Sequence, residues 1–249
     1  LALAHDWAAW LKAKESALQG AEARLRLLDV ACGSGKFPSA LLKYAGIADA
    51  GLRPIDYDLL DPSAFSLSEA RAVLEPPFEA GAGFESRLQD FSESAGRYDI
   101  AWATHALYAI PESELVPALA CMLDALAPDG IGFIAHASAD SHYLNFYRLY
   151  LDHVKGGAGT PYSSAEEVLS ALAQVGASTT ANEIRYQASL PVDRNEEVEG
   201  YLQRCLFDDA LTLADMRAVP AVGRYLDSVL TDGVWRFPQA VQMIFFRRA

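Results

Sequence analysis

The hydrophobic positions of this chain fall into short apolar runs separated by stretches of helical spacing. Residues 3–18 carry Trp7, Trp10 and Leu11 on one side and predict an amphipathic helix. The apolar run 25–31 reads as a strand and leads straight into Cys32-Gly33-Ser34-Gly35. A helix then extends to about Tyr44, with Pro38 in its first turn, where a missing N–H costs little. Residues 54–60 predict a second strand ending at Asp61-Pro62, and 65–74 a helix stopped by Pro76-Pro77. Residues 82–88 predict a third strand, 99–104 a fourth, and 113–126 a helix. Pro128-Asp129-Gly130 is a turn into a fifth strand, 131–137. Beyond it the pattern is less regular, with helices near 165–175, 195–207 and 213–230 and strands near 178–189 and 241–246. Strands alternating with helices predict an α/β fold, a parallel sheet covered on both faces, in one domain spanning 1–249.

Composition narrows the function. Hydrophobic residues make up 51% of the chain and charged residues 21%, enough for a sizeable core. The formal net charge of −13 argues against a general nucleic-acid or anionic-membrane binder, because both need a positive face. It suits a cationic ligand, and equally a protein that is merely kept soluble by its charge. Three scattered cysteines, Cys32, Cys121 and Cys205, have neither zinc-site spacing nor the pattern of a disulfide framework. The longest apolar stretch, 100–110, is broken by Thr104 and His105 and falls short of the roughly 20 residues of a membrane helix. A cytoplasmic protein is therefore expected, while what precedes Leu1 and the oligomeric state are left open by the sequence.

The strongest chemical signal is Leu27-Leu28-Asp29-Val30-Ala31-Cys32-Gly33-Ser34-Gly35, a hydrophobic strand running into a glycine turn that opens a helix. Gly33 and Gly35 let backbone approach a ligand at the carboxyl end of the strand, where open α/β sheets bind. A phosphate-binding loop would need glycine at Val30 and Ser or Thr at Phe37. A dinucleotide loop starting at Gly33 would need its third glycine at Pro38. Asp29 at the strand end would repel a pyrophosphate but attract the amino-acid end of a cationic ligand. The plain alternative is a tight strand-to-helix turn with no ligand.

With these residues in place, the chain resembles the class I S-adenosylmethionine-dependent methyltransferases. Asp29 to Gly35 matches their acid-x-Gly-x-Gly-x-Gly loop, with Ala31 in place of the first glycine. The resemblance implies a Rossmann-like, mostly parallel seven-stranded sheet with an antiparallel last strand. It also implies S-adenosylmethionine as cofactor, S-adenosylhomocysteine (SAH) as product, and no metal. On the same basis Asp61, followed by Pro62, would hold the ribose hydroxyls, since a carboxylate accepts two hydrogen bonds at once. Gln89, Asp90 and Phe91 would face the adenine, and Thr104 would lie on the segment leading to the methyl donor. Residues 1–20 would form a capping helix, and 138–235 would supply helices on the substrate side.

A finer resemblance, to the histamine N-methyltransferases, rests on Leu60-Asp61-Pro62-Ser63-Ala64, Leu107-Tyr108, Tyr162-Ser163-Ser164 before a helix, and the tail. It implies that His105 and Gln239 reach the methyl acceptor and that Tyr108, Tyr143 and Phe146 form an aromatic wall. The glutamate expected to hold the acceptor's amine is missing, with Ala4 or His5 near its place, and His105 replaces an amide. The expected activity is methyl transfer to a small molecule other than histamine, an amine nitrogen first. The alternatives are a phenol or carboxylate oxygen, or a protein of this fold that does not methylate. Methyl transfer is an in-line displacement, so alignment supplies much of the rate. His105 is the candidate base or orienting hydrogen bond, against a structural histidine. His136 is a second candidate, read first as structural, and Tyr143, Tyr147 and Tyr150 recur at a helical spacing typical of core.

Overall fold

The fold is described from a computed structural model, which covers residues 4–20, 23–92 and 95–249. Leu3, where the first helix was expected to start, lies outside the described residues.

Five parallel strands, β1 (Arg26–Val30), β2 (Ile55–Asp61), β3 (Phe78–Glu85), β4 (Tyr98–Thr104) and β5 (Leu126–Ala137), form one half of the sheet. Strand β8 (Val234–Arg248), antiparallel to β5, and β6 (Ala177–Pro191), antiparallel to β8 and so running with the first five, complete it in the order β3-β2-β1-β4-β5-β8-β6. The two-residue β7 (Leu230–Thr231) joins β8 off this path. The seven-stranded path and the antiparallel closing strand are thus as expected. The third strand starts four residues before the expected position. The Pro128-Asp129-Gly130 turn sits inside β5, as a register shift between the Tyr98–Leu126 and Ile100–Ile131 pairs.

Alternation along the strands sends side chains to two cores. Leu27, Ile100, Trp102, Phe133 and Ala135 face α1 (Trp7–Ala17), α2 (Lys36–Tyr44) and α3 (Ala64–Ala72). Leu28, Val30, Ala101, Ala103 and Ile134 face α4 (Glu112–Ala125) and α6 (Ala165–Gln174). On α1 it is Trp7 and Leu11 that are fully buried, and Trp7 packs edge-on against Phe37, Trp102 and Phe133. Packing on the face of the sheet therefore accounts for this tryptophan.

A third core lies beyond the parallel strands. Only residues 241–246 of β8 pair with β5, and residues 234–240, paired with β6, overshoot the carboxyl end of β5 as a two-stranded ribbon. Trp235 and Phe237 on this ribbon are buried against α5 (His142–His153), α7 (Asn195–Leu206), α8 (Leu213–Ala218) and α9 (Pro220–Ser228). The helix expected over 213–230 is two helices, because Pro220 lacks an N–H and starts a new first turn. No helix among the described residues is long and apolar enough to cross a membrane.

Candidate active site

Strand order reverses direction between β1 and β4, which opens a crevice at their carboxyl ends. The glycine loop fills one side of it. Its backbone turns through left-handed positions at Ala31 (φ 49°), Gly33 (φ 51°) and Gly35 (φ 69°). A β-carbon on Gly35 would stand 2.5 Å from Val73 Cγ2 and 3.1 Å from Ala70 Cα, so this glycine lets α2 start hard against α3. A β-carbon on Gly33 would meet nothing within 4 Å, so the backbone there faces open space.

Asp61 ends β2 nearly buried, and its carboxylate ties two loops together. Oδ2 accepts the Gly33 N–H at 3.0 Å and Oδ1 the Ser63 N–H at 2.9 Å. Each oxygen has two lone pairs and spends one here, leaving capacity for a pair of ligand hydroxyls. Its neighbours on the strand are employed elsewhere. Asp58 accepts from Tyr98 Oη (2.8 Å) and the Ala82 N–H (2.7 Å) and pairs with Arg97, while Asp56 pairs with Arg24 at the surface.

Asp29 is 3% exposed and takes a 2.7 Å hydrogen bond from the Tyr57 hydroxyl, which itself accepts from Trp102 Nε1 at 3.2 Å. Burial pushes the Asp29 carboxyl up to about 7, with the Tyr57 hydrogen bond opposing. Burial also pushes the nearby Cys32 thiol up to about 12, which makes it inert at neutral pH. The Tyr57–Asp29 pairing follows from strand register, since Tyr57 stands two residues before Leu59, the cross-strand partner of Asp29, and the sequence alone does not mark it.

The adenine-side candidates turn toward α4. Gln89 Nε2 donates to Glu114 at 2.5 Å, and Asp90 pairs with Arg87 at 2.7 Å on the surface. Phe91 is buried in the α4-side core with its ring edge-on to Phe84. Pro62 is exposed beside Ser63, whose hydroxyl caps α3.

Across the crevice, Thr104 closes β4, and His105 adopts a left-handed turn (φ 54°) with its N–H donating to the Ala135 carbonyl at 2.8 Å. His105 is exposed, yet the protein atoms crowding its ring push its imidazole below the ordinary histidine value. Its Nδ1 lies 2.6 Å from Tyr108 Oη. Tyr108 stacks on His136 with centroids 4.0 Å apart and tilts against Tyr143 at 4.6 Å and Tyr162 at 5.6 Å. His136 is fully buried, its Nε2 is 2.9 Å from the Ser163 carbonyl, and burial pushes it down to about 3, the behaviour of a structural histidine.

The structure thus brings His105, Tyr108 and Tyr143 together and adds Tyr162. It does not bring Phe146 to them. That side chain is fully buried in the third core, against His142, with ring centroids 5.2 Å apart. Gln239 also belongs to that region, accepting from Ser141 Oγ (2.9 Å) and donating to Tyr201 Oη (2.8 Å). It lines a groove of about 280 Å³ on the β6–β8 ribbon, together with Asp140, Arg185, Tyr186 and Pro238. A second groove, about 420 Å³, runs between β6 and α7. Neither reaches Gly33, Asp61 or His105, so the crevice is defined by chemistry and topology. Among the described residues no group of three His, Cys, Asp or Glu is placed to hold a metal.

The fold is similar to that of several solved structures. A protein described as a candidate methyltransferase from Bacillus halodurans C-125 is 14% identical, with a TM-score of 0.63 over 97% of this chain and 98% of that one. Magnesium protoporphyrin IX methyltransferase from Synechocystis PCC 6803, solved with bound SAH, is 16% identical over 97% and 80%, with a TM-score of 0.50. The [4+2]-cyclase SpnF is 17% identical over 98% and 81%, with a TM-score of 0.51. No curated protein matches the sequence. A family model described as a methyltransferase domain matches residues 3–182, most of the chain. With the glycine loop, the acid ending β2 and the five parallel strands on the matched residues, the chain belongs to the methyltransferase-domain family.

Proposed function

We propose that this enzyme binds S-adenosylmethionine across the carboxyl ends of β1, β2 and β4 and transfers a methyl group to a small molecule, an amine nitrogen first. The observation that carries this reading is the Asp61 carboxylate, fixed by Gly33 and Ser63 N–H groups beside an open, left-handed glycine loop. Asp61 would take the ribose hydroxyls, and Asp29 with the loop from Ala31 to Gly35 the amino-acid end. Pro62 and the Gln89–Asp90–Phe91 segment would border the adenine side. The cofactor, when bound, supplies a methyl group already activated on a sulfonium. The protein's own part is to align an acceptor at Thr104 and His105, beside Tyr108 and Tyr143. Alignment of reacting atoms is the largest contribution such a site has to make.

A second reading is a protein that binds the cofactor and does other chemistry, because the fold is shared with a [4+2]-cyclase. Incubation with methyl-labelled S-adenosylmethionine and a panel of amines, phenols and carboxylic acids separates the two. Methyl transfer predicts labelled product with SAH formed in equal amount, on amines first. Tight SAH binding with no labelled product from any class would favour the second reading.

A further inference from the structure

Tyr108 was expected only as part of an aromatic wall, but it is 2% exposed and its hydroxyl has two partners. It accepts the Ala137 N–H at 3.1 Å and lies 2.6 Å from His105 Nδ1. A phenol has a single proton to give. Ala137 offers only a donor, so the acceptor in reach of that proton is His105 Nδ1. The reverse arrangement, Nδ1–H donating to Tyr108, would leave a buried hydroxyl proton with no acceptor, which is costly. The ring has no freedom to turn away, since His136, Tyr143 and Tyr162 pack around it.

From this chain, Ala137 N–H to Tyr108 O–H to His105 Nδ1, we infer that Tyr108 is a positioning residue that fixes His105 with its proton on Nε2, so that His105 meets the methyl acceptor molecule as a hydrogen-bond donor and not as a base. This rests on the proposed methyl-transfer site, and it narrows the substrate. An amine nitrogen has one lone pair, and a nitrogen that accepts the Nε2 hydrogen bond has none left to attack with. The Nε2–H must therefore engage an oxygen of the substrate, and a carboxylate makes the strongest such bond. In the transfer the sulfur–carbon bond breaks as the bond from carbon to the attacking atom forms. An amine product sheds its extra proton to solvent, and a carboxylate has none to lose, so His105 neither gains nor loses a proton. The inferred substrate class is a small carboxylate-bearing molecule, methylated on an amine or on the acid itself.

The test is nitrogen-15 NMR of the imidazole rings at neutral pH, with the His105 signals assigned by their absence in His105→Gln. The expected spectrum has His105 protonated on Nε2, with Nδ1 as the bare, hydrogen-bonded nitrogen. Tyr108→Phe, which keeps the ring packing, should turn it into a mixture of tautomers while the other histidine signals hold their positions. Protonation on Nδ1 in the wild type, or an unmoved His105 signal in Tyr108→Phe, overturns the inference. The wild-type spectrum decides alone if the variant does not fold. Substrate class is read by KM for acids against their decarboxylated counterparts, which should be at least tenfold weaker; equal KM values overturn that part. SAH binding is measured on the same samples. Its absence would sink the cofactor reading, while the tautomer would still be read independently.

Discussion

Ala31 occupies a backbone position that glycine fills in the family pattern, and its φ of 49° shows why glycine is the usual choice there. An L-residue in this region crowds its β-carbon against the next carbonyl, at a cost of about 1 kcal/mol. Alanine is small, but size is not what the position selects against. Ala31→Gly should therefore stabilise the protein by about 1 kcal/mol in urea unfolding; a loss of stability would mean the turn tolerates the β-carbon. On the proposed reading, Asp61 is the residue on which ligand binding depends most. Its removal unpairs the Gly33 and Ser63 N–H groups as well as any bound hydroxyls. Asp61→Ala should weaken SAH binding by about 2 kcal/mol, the scale of lost charge-assisted hydrogen bonds. Unchanged affinity in calorimetry would remove Asp61 from the site. Asp29 makes a third case. Its carboxyl titrates at about 7 in the fold against an ordinary 3.8, so the unfolded chain releases this proton first as pH rises. The folded state binds more protons across that window, and the Asp29 contribution to stability is lost as pH climbs from about 4 through about 7. Asp29→Asn has no such proton, and its stability should decline less steeply over the same range. Parallel curves for the two proteins would show that Asp29 does not titrate there.

At the scale of elements, the parallel half was legible in detail and the ribbon half in outline: α6, β6, α7 and β8 lie where the pattern put them, while α5 and the break between α8 and α9 were missed. Strands β1, β2 and β4 are buried on both faces, so they stand out in the sequence as apolar runs, and the glycine loop and Asp61 could be placed at their ends, whereas edge strand β3 is mostly exposed and reads weakly. The ribbon half gives weaker signals. Strand β6 is an edge strand carrying Asn182, Glu183 and Arg185, mostly exposed, so its fifteen residues show little alternation. Helix α5 mixes buried His142, Phe146 and Tyr150 with polar neighbours, and only its tyrosine spacing hinted at a helix. The expected aromatic wall inherited this gap. Tyr143 lies in the half-buried row facing Tyr108, whereas Phe146, three residues on, points into the third core. The hydrogen bond between Tyr108 and His105 had no sequence signal beyond a spacing of three. Because the overshooting ribbon has no β5 partner, its hold depends on the third core. Phe237→Ala, at a fully buried position on β8, should cost about 3–5 kcal/mol in urea unfolding. A cost below about 1 kcal/mol would mean the ribbon is held by its strand pairing alone.

At the scale of the whole molecule, one topological feature organises the rest. Strand order reverses between β1 and β4, and the glycine loop, Asp61 and His105 all stand at the carboxyl ends of the strands around that point. The third core and its ribbon extend the same edge of the sheet. On the proposed reading, Asp29, buried where β1 runs into the glycine loop, would meet the amino-acid end of the cofactor. On that reading, this crevice holds an adenosyl ligand. Isothermal titration of the purified protein with S-adenosylmethionine and SAH, with NAD as control, tests it most directly. Both adenosyl ligands should bind with micromolar affinity and NAD should not bind. A folded protein that binds neither adenosyl ligand would contradict it, leaving a methyltransferase fold without its cofactor.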